Sequence, residues 1–77
     1  MRVKILIFGQ LTDITGESEM YLNEVSDIDE LIKNLVQKFP TIADSNYAIA
    51  VDNKVISQNI QLNDNCIVAL LPPFSGG

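Results

Sequence analysis

The chain has 77 residues and a mass of 8.5 kDa, enough for one domain whose single core must take in most of the apolar side chains. Ten acidic residues against five scattered basic ones (Arg2, Lys4, Lys33, Lys38, Lys54) leave a net charge of −5, which excludes a nucleic-acid surface built on clustered cations and favours a basic partner protein. At 47% apolar the chain is too hydrophobic for disorder; with no histidine and Cys66 as its one cysteine it excludes Ser-His-Asp and Cys-His catalysis, a Cys/His zinc site and an internal disulfide.

Val3 to Phe8 is a nearly continuous apolar run rich in β-branched residues, which predicts a strand covered on both faces and central in a sheet. Leu11 and Ile14, three apart, predict a short helical turn that ends at Gly16. Ser18 to Leu22 reads as a second strand with polar residues on one side. The strongest helix signal covers about Asp27 to Phe39, where Ile28, Leu31, Ile32, Leu35, Val36 and Phe39 make one apolar stripe. Ser26 is the expected cap, accepting from the N–H of Asp29, and Asp27, Asp29 and Glu30 put negative charge on the first turn. Pro40 stops the helix. After a polar loop, Tyr47 to Val51 reads as a strand, Asp52-Asn53-Lys54 as a turn, and Val55 with Ile56 as a short return strand. Asn63-Asp64-Asn65 is a second turn, with Asn65 suited to a left-handed backbone. Ile67 to Leu71 is a second buried strand.

The order β-β-α-β-β has one helix to cover one face of a sheet and two buried strands at opposite ends of the chain. Those two are best satisfied as parallel central neighbours. The expectation is an α+β protein of the β-grasp, or ubiquitin-like, type: a mixed four- to five-stranded sheet packed on one main helix over residues 1–71, followed by a flexible tail, residues 72–77.

The tail is the odd feature. Pro72 and Pro73 cannot extend a ladder and hold an extended form, and Gly76 and Gly77 carry no side chain to obstruct a narrow channel. Six extended residues reach roughly 20 Å, far enough to place a carboxylate inside another protein. A terminal glycine carboxylate is sterically open to activation by a partner enzyme, which would join it to AMP for displacement by sulfur or nitrogen. The alternative is a frayed terminus.

Leu70-Leu71-Pro72-Pro73-Phe74-Ser75-Gly76-Gly77 resembles the C-terminus of the MoaD family, the small sulfur-carrier subunits of molybdopterin synthase within the ThiS/MoaD-like, ubiquitin-like superfamily. The resemblance spans the chain: Phe8-Gly9-Gln10-Leu11 is similar to the family's first strand and short helix, Ile49-Ala50-Val51-Asp52-Asn53 to its central hairpin, and Leu62 to Ala69 to its approach to the last strand. It implies that a MoeB-like activating enzyme, using ATP and magnesium, adenylates Gly77. Sulfur from a donor protein then gives a thiocarboxylate. It further implies that the tail enters a MoaE-like large subunit and supplies sulfur to a cyclic pyranopterin, forming the dithiolene of molybdopterin. Gly76 would thread the channel, Ser75 would lie in it, and Phe74 with Pro73 would seat the tail's base. The chain would bind no cofactor or metal itself, would not be catalytic alone, and would sit in an assembly of two small and two large subunits. Three positions depart from the family pattern: Val51-Asp52 where Val-Asn is common, Asn65-Cys66 where Gly-Asp is common, and Thr12 where an arginine is common.

Cys66 suggests a sulfur-handling thiol, but no cationic group beside it in sequence would lower its pKa, and a small buried hydrophobe at a strand start is the preferred reading. Asp27, Asp29 and Glu30 lack the spacing of a calcium loop and read as helix capping. Three other functions stay open: a thiamine-pathway sulfur carrier, a ubiquitin-like modifier joined to lysines, and an interaction module with an inert tail. Neither a signal peptide nor a membrane-spanning stretch is recognisable, so the expected location is cytoplasmic.

Overall fold

A computed structural model describes residues 2–72. Strand β1 (Arg2–Ile7) leads into a one-turn helix α1 (Leu11–Thr15), followed by β2 (Glu19–Asn23) and the main helix α2 (Ile28–Lys38). A 3-10 helix (Pro40–Asp44) precedes β3 (Ala48–Val51), β4 (Lys54–Ile56) and β5 (Ile67–Leu71). The five strands form one mixed sheet in the order β2-β1-β5-β3-β4. β1 and β5 pair in parallel at its centre, Lys4 opposite Ile67 and Ile7 opposite Leu70, and the remaining pairings are antiparallel. This is the β-grasp arrangement expected from the order of elements.

Side chains alternate along β1. Val3, Ile5 and Ile7 are buried beneath α2 together with Val68 and Leu70 of β5, and Leu31 and Leu35 meet them from the helix. Ile32, Val36 and Phe39 lie at the margin of this core, half-buried. The expectation that β1 and β5 are covered on both faces fails. Phe8 and Ile67 remain 45% and 41% exposed, and Leu6 is only half-buried. Among the described residues a single long helix covers one face of the sheet, and no helix covers the other.

The helix cap also differs from expectation by one residue. Asp27, not Ser26, has the extended backbone of a cap, and its Oδ1 accepts from the Glu30 N–H at 2.9 Å. Ser26 instead donates its hydroxyl to the Glu30 carboxylate at 2.8 Å. The Asp29 N–H goes to Asn59 Oδ1 at 2.8 Å, so a side chain thirty residues away completes the cap. Tertiary contact decides here, because the strand-like bridge between Asp27 and Gln61 fixes Asp27 in extended geometry. The loop expected after Pro40 contains the 3-10 helix, which buries Ile42 at the end of the core.

The turns match their residues. Asp52 and Asn53 have φ of 48° and 72°, the paired positive values of a tight hairpin turn, and Asn65 has φ of 65°. Gly16 closes α1 in a left-handed conformation at φ 75°.

Replacing Asp27 by alanine removes one cap acceptor and loosens Asn59. It should cost about 1 kcal/mol, a drop of roughly 4–8 °C in Tm for a domain of this size. Ser26→Ala should cost clearly less, because the Ser26 side chain makes no bond to a backbone N–H of the helix. Thermal unfolding of the two variants, followed by circular dichroism, checks this order.

Candidate functional site

The parallel pairing of β1 and β5 sends both strands to the same end of the sheet. The chain leaves β5 at Leu71 beside the end of β1, and the Phe8 N–H donates to the Leu70 carbonyl at 3.2 Å. Gly9 follows at φ 60°, a backbone that side chains rarely adopt. Its missing side chain matters as well: a Cβ there would sit 2.8 Å from Pro72 Cγ, so the bare glycine lets the departing chain pass close. The Thr12 hydroxyl donates to the Gly9 carbonyl at 2.8 Å, which ties α1 to the same corner. Thr12, one of the departures from the MoaD pattern, thus has a local bond in place of a long cationic arm.

Next to this exit the open face of the sheet is apolar. Leu6 and Phe8 of the first strand and its extension, Ala50 and Val55 of the hairpin, and Ile67, Ala69 and Leu71 of β5 line a shallow depression of about 270 Å³. Val55 is 69% exposed and Phe8 45%, so large apolar side chains face water where β5 ends. A contiguous exposed apolar patch of this kind is the class of surface that takes a protein, a membrane or a ligand.

Asp52 holds the end of this face. Its N–H donates to the Ile67 carbonyl at 2.8 Å and its carboxylate accepts from the Ile67 N–H at 3.0 Å, so the residue that departs from the family pattern fastens the hairpin to the start of β5. Cys66 precedes Ile67 and belongs to the core at 5% exposure. Burial pushes its thiol pKa up, and the charges of Asp52 and Asp64 add to the shift. The thiolate is therefore suppressed, opposite to what a sulfur nucleophile needs. Among the described residues no three His, Cys, Asp or Glu side chains gather to hold a metal ion, and no helix is long and apolar enough to cross a membrane.

Pro73, Phe74, Ser75, Gly76 and Gly77, the site residues expected from sequence, lie outside the described residues. The structure adds the apolar surface beside Pro72, the last described residue. The signal for it was present in the apolar runs of β1 and β5, whose alternate residues exceed what one helix can cover.

The ThiS family profile matches residues 5–77. The molybdopterin synthase sulfur carrier subunit of Dictyostelium discoideum is 31% identical over 81 residues, covering 96% of this chain and 94% of that one. Among solved structures, the protein-protein complex of subunits 1 and 2 of molybdopterin-converting factor from Helicobacter pylori contains a chain 28% identical with a TM-score of 0.76, both chains covered in full. The small archaeal modifier protein 1 of Methanosarcina acetivorans shares the fold at 22% identity and a TM-score of 0.83, over 99% of this chain and 96% of that one.

A thiol buried to this degree should react with iodoacetamide at pH 8 far more slowly than a free cysteine, and at the free rate once the chain is unfolded in guanidinium. Mass spectrometry of timed aliquots reads both rates. Equally rapid labelling of the folded chain would place Cys66 at the surface.

A β-grasp sheet with parallel central strands, a final strand that runs out beside an exposed apolar face, and a family match reaching from β1 to the last residue lead to one assignment: the chain belongs to the ThiS family of MoaD-like, ubiquitin-like proteins.

Proposed function

We propose that this chain is the sulfur carrier subunit of a molybdopterin synthase. The observation that carries the reading is the continuity between the exposed apolar face and the root of a tail ending in Gly76-Gly77. The Dictyostelium relative bears the corresponding name, and the Helicobacter chain was solved in a complex of two subunits.

In this reading the reacting group is the Gly77 carboxylate, and the folded body serves to deliver it. An activating enzyme of the MoeB type lets the carboxylate attack the α-phosphorus of ATP, with magnesium neutralising the phosphates. Pyrophosphate leaves and an acyl adenylate remains. Sulfide-level sulfur delivered by a donor protein attacks the acyl carbon, the bond to the AMP oxygen breaks, AMP leaves with that electron pair, and the thiocarboxylate remains. The apolar face around Phe8 and Leu71 then seats on a MoaE-like large subunit, with Phe74 and Pro73 at the tail's base. Ser75 and Gly76 occupy the channel, and Gly77 presents sulfur to the pyranopterin precursor. The chain contributes no acid, base or metal to these steps. It supplies position, which is worth several kcal/mol when a reacting atom is held in an attack geometry.

Two results test this reading. The intact mass of the chain isolated from cells expressing its pathway should rise by the difference between sulfur and oxygen, and deletion of Gly76-Gly77 should abolish both that shift and molybdopterin formation while leaving the melting curve unchanged. Persistent synthase activity in the deletion variant would overturn the reading. Conjugates of higher mass on target lysines would instead establish a ubiquitin-like modifier, and rescue of thiazole rather than molybdopterin synthesis would establish a thiamine-pathway carrier.

The second concerns the seat. Phe8→Ser should weaken the complex with the large subunit about tenfold or more, because truncating a central aromatic anchor typically costs over 1 kcal/mol. Phe74→Ala should act in the same direction. Calorimetric titration measures both, and an unchanged Kd removes the residue concerned from the interface.

A further inference from the structure

The open face of the sheet has a second half. Away from the chain's exit, β1 presents Arg2 and Lys4, and β2 presents Glu19 and Tyr21 beside them. Lys4 Nζ lies 3.4 Å from Glu19 Oε1, so that pair is internally compensated. Arg2 is different. Its guanidinium carbon stands 4.3 Å from the centroid of the Tyr21 ring, while no carboxylate among the described residues forms an ion pair with it. Its backbone N–H is separately tied to Asp64 Oδ1 at 2.8 Å, which holds the start of the strand. A planar cation is therefore stacked on a half-exposed aromatic ring, with its N–H donors directed to no carboxylate of its own chain.

The size of an interface decides whether a partner reaches it. Five strands of three to six residues, about 4.8 Å apart and some 10–20 Å long, present roughly 350–400 Å² of sheet face. A stable protein complex covers about 800 Å² on each partner. A partner seated on the apolar depression with an ordinary footprint therefore covers the whole face, including Arg2, which lies about 20 Å from Phe8 along the first strand. A cation covered without an anion is strongly unfavourable, and an Arg met by a carboxylate in two-pronged geometry is among the strongest polar contacts.

We propose that Arg2, held on the Tyr21 ring, is a second anchor of the docking face and takes a carboxylate presented by the large subunit. The inference rests on the reading of this face as the large-subunit seat. It also specifies the partner's chemistry: an apolar centre with an acidic group some 20 Å away, on a chain whose net charge of −5 would by itself call for a basic partner. Two anchors that far apart fix the rotation of the domain on its partner, and so the direction in which the chain leaves β5. An apolar patch alone leaves that rotation loose.

The test is calorimetric titration of the full-length chain with its own large subunit at low and at high salt. Melting curves of each variant accompany it. Arg2→Gln should weaken binding about tenfold at low salt and flatten the salt dependence, and Arg2→Lys, which keeps the charge but loses the planar fork, should fall between. Carboxylate-to-amide substitutions across the large subunit should then find one whose loss weakens the wild-type complex but not the Arg2→Gln complex. If Arg2→Gln binds like wild type while Phe8→Ser is weakened, the second anchor is wrong and the apolar seat stands. If neither substitution changes Kd, the docking face itself is wrong. Should Arg2→Gln melt early, Arg2→Lys and the large-subunit scan decide the matter, since neither removes the cation from the fold.

Discussion

Everything in this molecule depends on the parallel ladder between its first and last strands. Lys4 pairs with Ile67 across 63 residues, a closure that costs roughly 4 kcal/mol of chain entropy before any contact forms. Burial of Val3, Ile5, Ile7, Val68 and Leu70 against α2 offsets that cost, which is why all five are apolar and closed to solvent. The same ladder brings the chain's exit to the centre of the sheet. A last strand at an edge would release the tail at a margin, away from the apolar face. Here it leaves between Phe8 and Leu71, with Gly9 making room for Pro72.

A domain of this size has material for one helical layer, and the allocation of that layer defines the functional surface. α2 closes one face with Leu31 and Leu35, and among the described residues no second helical layer covers the other. Exposed Phe8, Val55 and Ile67 cost solubility when the chain is free, and the surplus of acidic residues elsewhere, concentrated around the start of α2 and in the loops, counters this by mutual repulsion between copies. The open face is divided: an apolar half beside the exit, and a half in which Lys4, Glu19, Arg2 and Tyr21 are placed by the register of β1 against β2.

Much of this was legible from residue pattern. The helical stripe from Ile28 to Phe39, the left-handed Asn65, the Asp52-Asn53 turn and the pairing of the two buried strands follow from local chemistry and from how many faces must be covered. The Asp27 cap was not legible, because Asn59 and Gln61 select it from across the chain. The open face is hidden in the sequence for a related reason. A run such as Ile5-Leu6-Ile7-Phe8 has the same composition whether its second side meets another layer of its own chain or another protein. Only the count of helices distinguishes them. In sequence Thr12 and Asp52 stand out only as departures from a pattern; their local bonds to Gly9 and Ile67 depend on the three-dimensional fold.

The direction of the central ladder also has a mechanical side. A pull on the chain beyond Pro72 acts along β5, parallel to β1 and in line with β3, so the hydrogen bonds on both sides of the strand are loaded in shear. They share the force and must break together, whereas an edge hairpin pulled from its end opens one bond at a time. Under the proposed function, a tail drawn into a channel and withdrawn again would transmit tension to its root on every cycle. Anchored in the middle of the sheet, that root resists the tension with the most strongly held strand in the domain.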